Sequence, residues 1–509
     1  MLTHGNQTLY TLLQKQTRRY GDKSFLLFED EEISYQDMLG RVNRTARWLS
    51  SKGIGKGHTV AAFLSNSPLF YDVWYACGAL GAVMLPINTA STPSELEYFL
   101  DHSESRGFIF EERLVGEGHL EVAEKMDLAF IQESERSLEE GRHSMADDDV
   151  KCQANAADTA CIMYTSGTTA KPKGVLITHE NYLFAGHSSV LYQQLTPEDR
   201  YLIFLPLFHA NSQYYTSMAT LVAGGTIILQ ERFSSSGFWD AVDRYKPTVS
   251  SLVATVIKML LERPEHPKEK RHSLKRAGYG LFVTYQDLQK FQERFGIHLY
   301  QWFGMTESIT TNIVTPIYEE MVRDPDTGIV PIGKPALGHE VKIAGSDGEE
   351  LPFGETGEIL IKSPSPMKGY FKNPEATAQT LQNGWLHTGD NGYMNEEGYI
   401  WFVDRNKDMI KRAGENISSI EVENVLSDHP SIQDCAVVGE PDALREEKVV
   451  AYIKLFDGEQ VTEGKLENFC KERLSYFKVP QEFRIIDDFP RTSIGKIQKN
   501  LLRVKGEAK

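Results

Sequence analysis

The densest chemistry in the sequence sits in Tyr164-Thr-Ser-Gly-Thr-Thr-Ala-Lys-Pro-Lys-Gly174. Thr165, Ser166, Thr168 and Thr169 bring hydroxyl donors for phosphate oxygens, Gly167 and Gly174 let backbone N–H groups come close, and Lys171 and Lys173 add positive charge. That combination suits a polyphosphate. The order GxxxxGK[ST] is missing, so a P-loop nucleotide hydrolase does not fit. The apolar run Ala160–Tyr164 predicts a buried strand leading into the loop, and a helix is expected after it.

Further groups follow in order: Pro206-Leu-Phe-His209, Trp302-Phe-Gly-Met-Thr-Glu307, Gly357-Glu-Ile-Leu-Ile, Trp385-Leu-His-Thr-Gly-Asp390, Asp404-Arg405 with Lys407-Asp408, and Arg491-Thr-Ser-Ile-Gly-Lys496. With these motifs the chain resembles, over nearly its whole length, the adenylate-forming superfamily of acyl-CoA synthetases, luciferases and peptide-synthetase adenylation domains. Within it, MIKRAGENIS, FWDAVDRYKPTV and WLHTGD are most similar to bacterial crotonobetaine/carnitine-CoA ligases.

The resemblance implies a carboxylic acid attacking the α-phosphorus of ATP to give an acyl-adenylate, followed by capture of the acyl group by the thiol of coenzyme A. It places Lys496 on the carboxylate and α-phosphate oxygens, Thr306 on the α-phosphate, and Glu307 with Thr165 on Mg²⁺. A hard carboxylate oxygen suits a hard cation that bridges phosphates. One lysine about 4 Å from a developing negative charge is worth about 4 kcal/mol at an effective dielectric of about 20. Asp390 and Arg405 are implied to hold the ribose hydroxyls. Gly278, Tyr279, Gly280, Trp302, Phe303 and Gly304 are implied to form the adenine pocket, and His209 to stand near the acyl group and the path of the thiol. Phe303 replaces the tyrosine common in the family, and Ala170 replaces a glycine.

The acyl pocket is expected to draw on Asn211, Ser212, Val253–Thr255 and Tyr279, whose several polar side chains suit a short or polar acid better than a long chain. Lys407 falls at the family's hinge, and the loop Lys411–Ser418 with Gly414 is expected to face the pantetheine arm after the small domain turns.

These residues need a scaffold. In Thr59–Pro86 the apolar run VAAFL, the helical stretch Leu69–Leu80 and AVMLPI read as a βαβ unit. Strand candidates recur at Tyr201–Leu205, Thr226–Leu229, Thr248–Leu252 and Leu299–Trp302, which predicts an α/β body of mostly parallel sheets covered by helices. Past Ile332 the pattern shifts to short strands with Gly and Pro turns, so a β-rich subdomain is expected over about 332–403. Helix-like Ser419–Ser427, strand-like Asp434–Val438 and Val449–Leu455, and helix-like Thr462–Leu474 predict a small mobile α+β domain. The expected division is 1–404 and 405–509. The acidic stretch Gln132–Asp149 reads as a surface loop.

With 509 residues, 41% apolar and 25% charged, the chain has material for more than one packed core. A net charge of −17 disfavours a nucleic-acid scaffold. Cys77, Cys152, Cys161, Cys435 and Cys470 are scattered without a CxxC pair, as in reduced cytoplasmic proteins, and no metal–thiolate site is expected. Met1–Tyr20 lacks the apolar core of a signal peptide, and no apolar run is long enough to span a bilayer. A monomer or homodimer is expected. A carrier protein in place of coenzyme A, or a non-catalytic ligand sensor, are the competing functions, and the intact set Lys496, Glu307, Thr306 and Asp390 speaks against the sensor.

Overall fold

The computed structural model describes residues 5–132, 134–165, 172–280, 282–317, 319, 321–324, 328–405, 408–412, 415–442, 445–492 and 495–504. Ser166, Gly167, Thr168, Thr169, Ala170, Lys171, Lys407 and Gly414 of the expected site lie outside the described residues.

Two large sheets form the body. The first has the strand order Lys334–Pro335, Ile313–Val314, His298–Phe303, Arg276–Gly280, Val249–Val253, Arg200–Ile203, Thr226–Leu229, Ser24–Phe28, Glu31–Ser34. From His298–Phe303 to Ser24–Phe28 every neighbouring pair is parallel. The second runs Gly369–Tyr370, Lys173–Thr178, Thr159–Thr165, Val83–Pro86, Thr59–Phe63, Ser105–Phe110, Phe130–Ile131. It is parallel beyond the hairpin that begins it. The expected βαβ unit is present, with Pro68–Leu80 as its helix. Apart from Asp72 that helix is apolar, and nearly every residue is buried, so it lies inside the body rather than on its surface. Trp74 stacks on Tyr75 at 5.1 Å and meets Tyr182 edge-on at 5.1 Å, tying it to the helix His179–Gln193.

The strands Glu340–Ala344, Gly357–Lys362, Trp385–Met394, Leu381–Gln382 and Ile400–Arg405 make a separate antiparallel sheet. The C-terminal sheet contains Glu415–Ile417, Ile410–Arg412, Glu446–Leu455, Ile432–Asp442 and Glu482–Ile485. The helices Ser419–Ser427 and Glu463–Lys471 cover its apolar face through Val422, Leu426, Leu466 and Cys470. The chain is therefore a large α/β domain followed by a small α+β domain.

Two sequence expectations need correcting. The phosphate-loop segment is not followed directly by a helix. Lys173–Thr178 pairs antiparallel with Thr159–Thr165, so a strand follows the loop segment, and the helix begins only at His179. Val175 and Ile177 are fully buried, and β-branched side chains fit such a strand. The acidic stretch is also not all loop, because Glu135–His143 is a helix capped by Ser134, whose hydroxyl accepts from Ser137 N at 3.0 Å.

The inner anchor of that helix is ionic. Arg142, 3% exposed, reaches Asp72 Oδ2 and donates to Thr45 at 2.9 Å, while Arg41 donates to both oxygens of the same carboxylate, to Oδ1 at 3.1 Å and to Oδ2 at 2.9 Å. Asp72 is fully buried, so removing one guanidinium leaves a poorly compensated charge. Arg142→Ala is expected to cost about 3 kcal/mol, read as a lowered urea midpoint; a midpoint unchanged from wild type would show that the pair is dispensable.

Candidate functional site

The hairpin brings the first group together. Thr165 and Lys173 are cross-strand partners, so both sides of the loop emerge at one point. Gly174 is needed for packing here: a Cβ would lie 2.8 Å from Ile162 Cγ2, and its carbonyl accepts from Phe371 N at 2.7 Å. That contact seats Gly369–Tyr370 against the hairpin edge. Lys173 Nζ then lies 4.9 Å over the Tyr370 ring.

Tyr370 in turn donates to Glu307 Oε1 at 2.9 Å. Glu307 is 8% exposed, and burial pushes its carboxyl pKa above the usual 4.5, against the opposing pull of the Tyr370 hydroxyl, Lys173 and Arg405. Its backbone carbonyl accepts from Met367 N at 2.9 Å. The Ser365–Met367 segment is pinned from the other side by Asn181, which donates to Ser365 Oγ at 2.7 Å while its own Oδ1 accepts from Thr178 N at 2.9 Å. The cap of the His179–Gln193 helix thereby sets the position of the Glu307 neighbourhood. Thr306 opens the short turn Thr306–Ser308 and is half-buried.

Asp390 and Arg405 face each other across the antiparallel pair Trp385–Met394 and Ile400–Arg405, with Arg405 Nε 3.2 Å from Asp390 Oδ1. Asp390 is 5% exposed and its own N–H donates to Thr388 Oγ1 at 3.1 Å. Gly389 just before it has φ +70, and its N–H donates to Glu358 at 2.8 Å, fixing the turn that aims the aspartate. Arg405 therefore serves Asp390 directly and Glu307 at longer range, joining the two acidic groups.

The residues expected around adenine separate onto different faces. Trp302 is 4% exposed and its ring lies over Gly278, where a Cβ would meet Cζ3 at 2.1 Å. It packs 5.6 Å from both Tyr215 and Tyr300, inside the core. Phe303, next along the strand, points to the opposite face and is half-buried, 6.4 Å from Phe402. Tyr279 is buried with its hydroxyl donating to Gln301 at 3.1 Å. Gly280 is half-buried beside the Trp302 edge, and Gly304 leaves room for the Thr310 carbonyl, 2.6 Å from where its Cβ would stand.

His209 ends the strand-to-helix link Pro206–His209 and packs 4.7 Å from Phe208. Desolvation pushes its imidazole down from 6.5 to about 4, so it is neutral near pH 7 and suited to hydrogen bonding rather than to charge. The winding Asn211–Ser217 that follows is a π-helix, a geometry that recurs at functional sites. Asn211 Oδ1 accepts from Ser251 at 2.8 Å, and Ser212, fully buried, donates to the Leu205 carbonyl at 2.8 Å.

A cavity of about 580 Å³ opens beside this link, lined by Phe208, Val253, Thr255 and Lys258 of the large domain and by Asp434, Arg491 and Gly495 of the small one. Lys496, the residue after Gly495, is half-buried on a tight turn, in which Thr492 N donates to the Lys496 carbonyl at 2.8 Å and Lys496 N donates to Thr492 Oγ1 at 3.1 Å. Gly495 has φ +80, and a Cβ there would lie 2.8 Å from Thr255 Oγ1. Both conformation and space demand glycine, and the turn sits directly on the large domain.

Sequence reasoning missed several residues. Tyr370 is one, because its partner Glu307 is distant in the chain. Ile309 has φ +70, a strained conformation for a β-branched residue, two residues after Glu307. Thr310 Oγ1 and both amide atoms of Asn312 are buried without a hydrogen-bond partner among the described residues. Buried orphan groups of this kind call for a ligand or ordered water. Local strain and orphan polar atoms leave no mark in composition.

The chain matches the family model described as AMP-binding enzyme over residues 13–371, and that described as AMP-binding enzyme C-terminal domain over residues 421–496. It is 36% identical to the crotonobetaine/carnitine–CoA ligase of Citrobacter koseri, covering 98% of this chain and 99% of that one. The ATP-bound crystal structure of MatB from Rhodopseudomonas palustris matches with a TM-score of 0.90 at 27% identity, covering 99% of each chain. The apo structure of MatB from the same organism matches with 0.79 at 28% identity, again over 99% of each. An α/β body bearing this hairpin loop, with a small α+β domain placing a lysine turn against it, defines an adenylate-forming enzyme. The chain belongs to the AMP-binding enzyme family, within its acid–thiol ligases.

Because the Glu307 pKa is raised, the fold favours its neutral form: that advantage is present below 4.5 and is lost as pH climbs through the raised value. Glu307→Gln is therefore expected to match wild type in thermal stability near about pH 4 and to exceed it near about pH 8, while losing activity. A variant less stable than wild type at the higher pH would contradict the burial argument.

Proposed function

We propose that this enzyme activates a short, polar carboxylic acid with ATP and passes the acyl group to coenzyme A. The observation that carries the reading is the convergence of Lys173, Glu307, Asp390 and Arg405 in one charged cluster, with the Lys496 turn docked on Thr255 at the cavity mouth.

In the first step the acid's carboxylate attacks the α-phosphorus and pyrophosphate leaves. Lys496 holds the carboxylate and α-phosphate oxygens as negative charge gathers there, and Thr306 donates to the same phosphate. The hairpin loop 165–174 holds the departing pyrophosphate. Asp390 accepts from the ribose hydroxyls, with Arg405 orienting its carboxylate. Gly278, Tyr279, Gly280, Phe303 and Gly304 bound the base, while Trp302 shapes that wall from within the core. Mg²⁺ would be held by Glu307 with Thr165 and would neutralise phosphate charge. Among the described residues no cluster of three or more His, Cys, Asp or Glu side chains can hold a metal ion, and a single buried carboxylate fits a cation that takes most of its ligands from phosphate and water.

In the second step the coenzyme A thiol attacks the acyl carbon and AMP leaves. His209, neutral at this pH, orients the acyl carbonyl beside the thiol path. The small domain, dividing from the body near Arg405, turns about Lys407 to replace the Lys496 face with the loop that carries Gly414. The named relatives being CoA ligases supports coenzyme A over a carrier protein as acceptor.

A polar acid is favoured by the buried Thr310 and Asn312 groups, which have no hydrogen-bond partner among the described residues. The crotonobetaine/carnitine–CoA ligases named above supply the first acids to try, betaine-like ones. A cytoplasmic setting is supported by Cys77, Cys152, Cys161, Cys435 and Cys470 all being unpaired thiols, and no helix among the described residues is long and apolar enough to cross a membrane.

Pyrophosphate release should be screened with crotonobetaine, carnitine, short aliphatic and aromatic acids, each with and without coenzyme A. The expected result is release that depends on a short polar acid, with thioester and AMP appearing only when coenzyme A is added. Release with no acid at all, or thioester formation only on a phosphopantetheinylated carrier, would reject the assignment.

A further inference from the structure

The Lys496 turn is held from two directions. Within the small domain, Arg491 donates through Nη1 to the Gly495 carbonyl at 2.9 Å and grips Asp434 through Nη2. From the large domain, Lys258 on the helix Ala254–Glu262 points its Nζ at the other oxygen of the same Asp434, 3.6 Å away. Asp434 is therefore ion-paired with both domains at once, and the chain Lys258–Asp434–Arg491–Gly495 ends one residue before the lysine of the active turn. Thr255, at the start of the same helix, is the residue on which Gly495 rests. A single helix thus supplies both the seat and the ionic contact for this turn.

The geometry points to Lys258 as a positioning residue that favours the docked pose of the small domain, the pose in which Lys496 faces the nucleotide. Asp434 keeps its Arg491 partner in any pose because both lie in the small domain, whereas Lys258 reaches it only while the domains are docked as here. The contact therefore acts on the choice of pose and leaves the fold of the small domain alone. The Lys258 and Asp434 side chains are 29% and 20% exposed, which makes the pair modest in strength, as suits a contact that must break on every turnover. The nearer whole-chain match to the ATP-bound than to the apo relative agrees with a docked arrangement.

This inference rests on the two-step reading for its catalytic consequence, but its structural half can be tested without any acid. Met259→Cys on the large domain and Gln433→Cys on the small domain place thiols in the lining of the same cavity, Met259 being half exposed. A short bismaleimide then reports docking by the yield of the internal cross-link. In this background Lys258→Met is expected to lower the yield about two- to fivefold, and Lys258→Arg to keep it within about twofold of the parent.

With crotonobetaine as probe acid and without the added cysteines, Lys258→Met should slow acid-dependent ATP–pyrophosphate exchange by a similar factor. Transfer from preformed acyl-adenylate to coenzyme A should be unchanged or faster. An unchanged cross-link yield, an arginine variant as poor as the methionine one, or an equal fall in both half-reactions would each overturn the proposal. Absence of exchange in the wild-type enzyme would count against the ligase reading or the probe acid, and the cross-link result would then decide the docking role by itself.

Discussion

Burying a carboxylate is costly unless opposite charge and donors are brought to it, and Glu307 imposes that requirement on everything around it. Tyr370 supplies the donor, and it can do so only because Gly174 lets the Gly369–Tyr370 strand close against the hairpin. Lys173 and Arg405 supply the charge, and each belongs to a second partnership, with the Tyr370 ring and with Asp390. The compensation is incomplete, since the carboxyl stays above its ordinary range. A site left short of positive charge is one that gains by receiving a cation, which supports the proposed binding of a metal–nucleotide pair here.

The junction between the domains follows a related logic. Asp404 directly precedes Arg405, and its carboxylate accepts from the backbone N and the hydroxyl of Ser419 at 2.7 and 2.6 Å, at the first turn of the small domain's first helix. Lys499, three residues beyond Lys496, donates to the same Ser419 hydroxyl and pairs with Glu423 at 2.6 Å. Arg405 and the Lys496 turn are thereby referred to one buried polar network at the point where the chain changes domain. A displacement at that network would reach both of them.

Much of this was legible in the sequence where one face of an element is apolar. Ser419–Ser427 could be read because Val422 and Leu426 recur at helical spacing, and Pro68–Leu80 because it is almost wholly apolar, Asp72 apart. The helix Glu135–His143 could not, since its only buried apolar residue is Leu138 and its main anchor is an arginine, a type that usually marks a solvated face. The strand Lys173–Thr178 was hidden by the helix that follows it. Within the site, Asp390 and Arg405 were legible as types, but their pairing depends on strand register. Trp302 and Phe303 invited the same role, yet alternation along the strand sends one ring into the core and the other to the half-open face. Tyr370 acts through a partner, and Thr310 and Asn312 stand out through burial, that only the fold creates, which a linear reading does not contain.

The central claim is that the small domain delivers Lys496 for the first chemical step alone. Separate measurement of the two half-reactions in Lys496→Ala tests it most directly. Loss of about 4 kcal/mol of charge stabilisation predicts that adenylation falls about a thousandfold, while transfer of supplied acyl-adenylate to coenzyme A falls by less than about tenfold. Equal losses in both steps, or adenylation close to wild type, would contradict it.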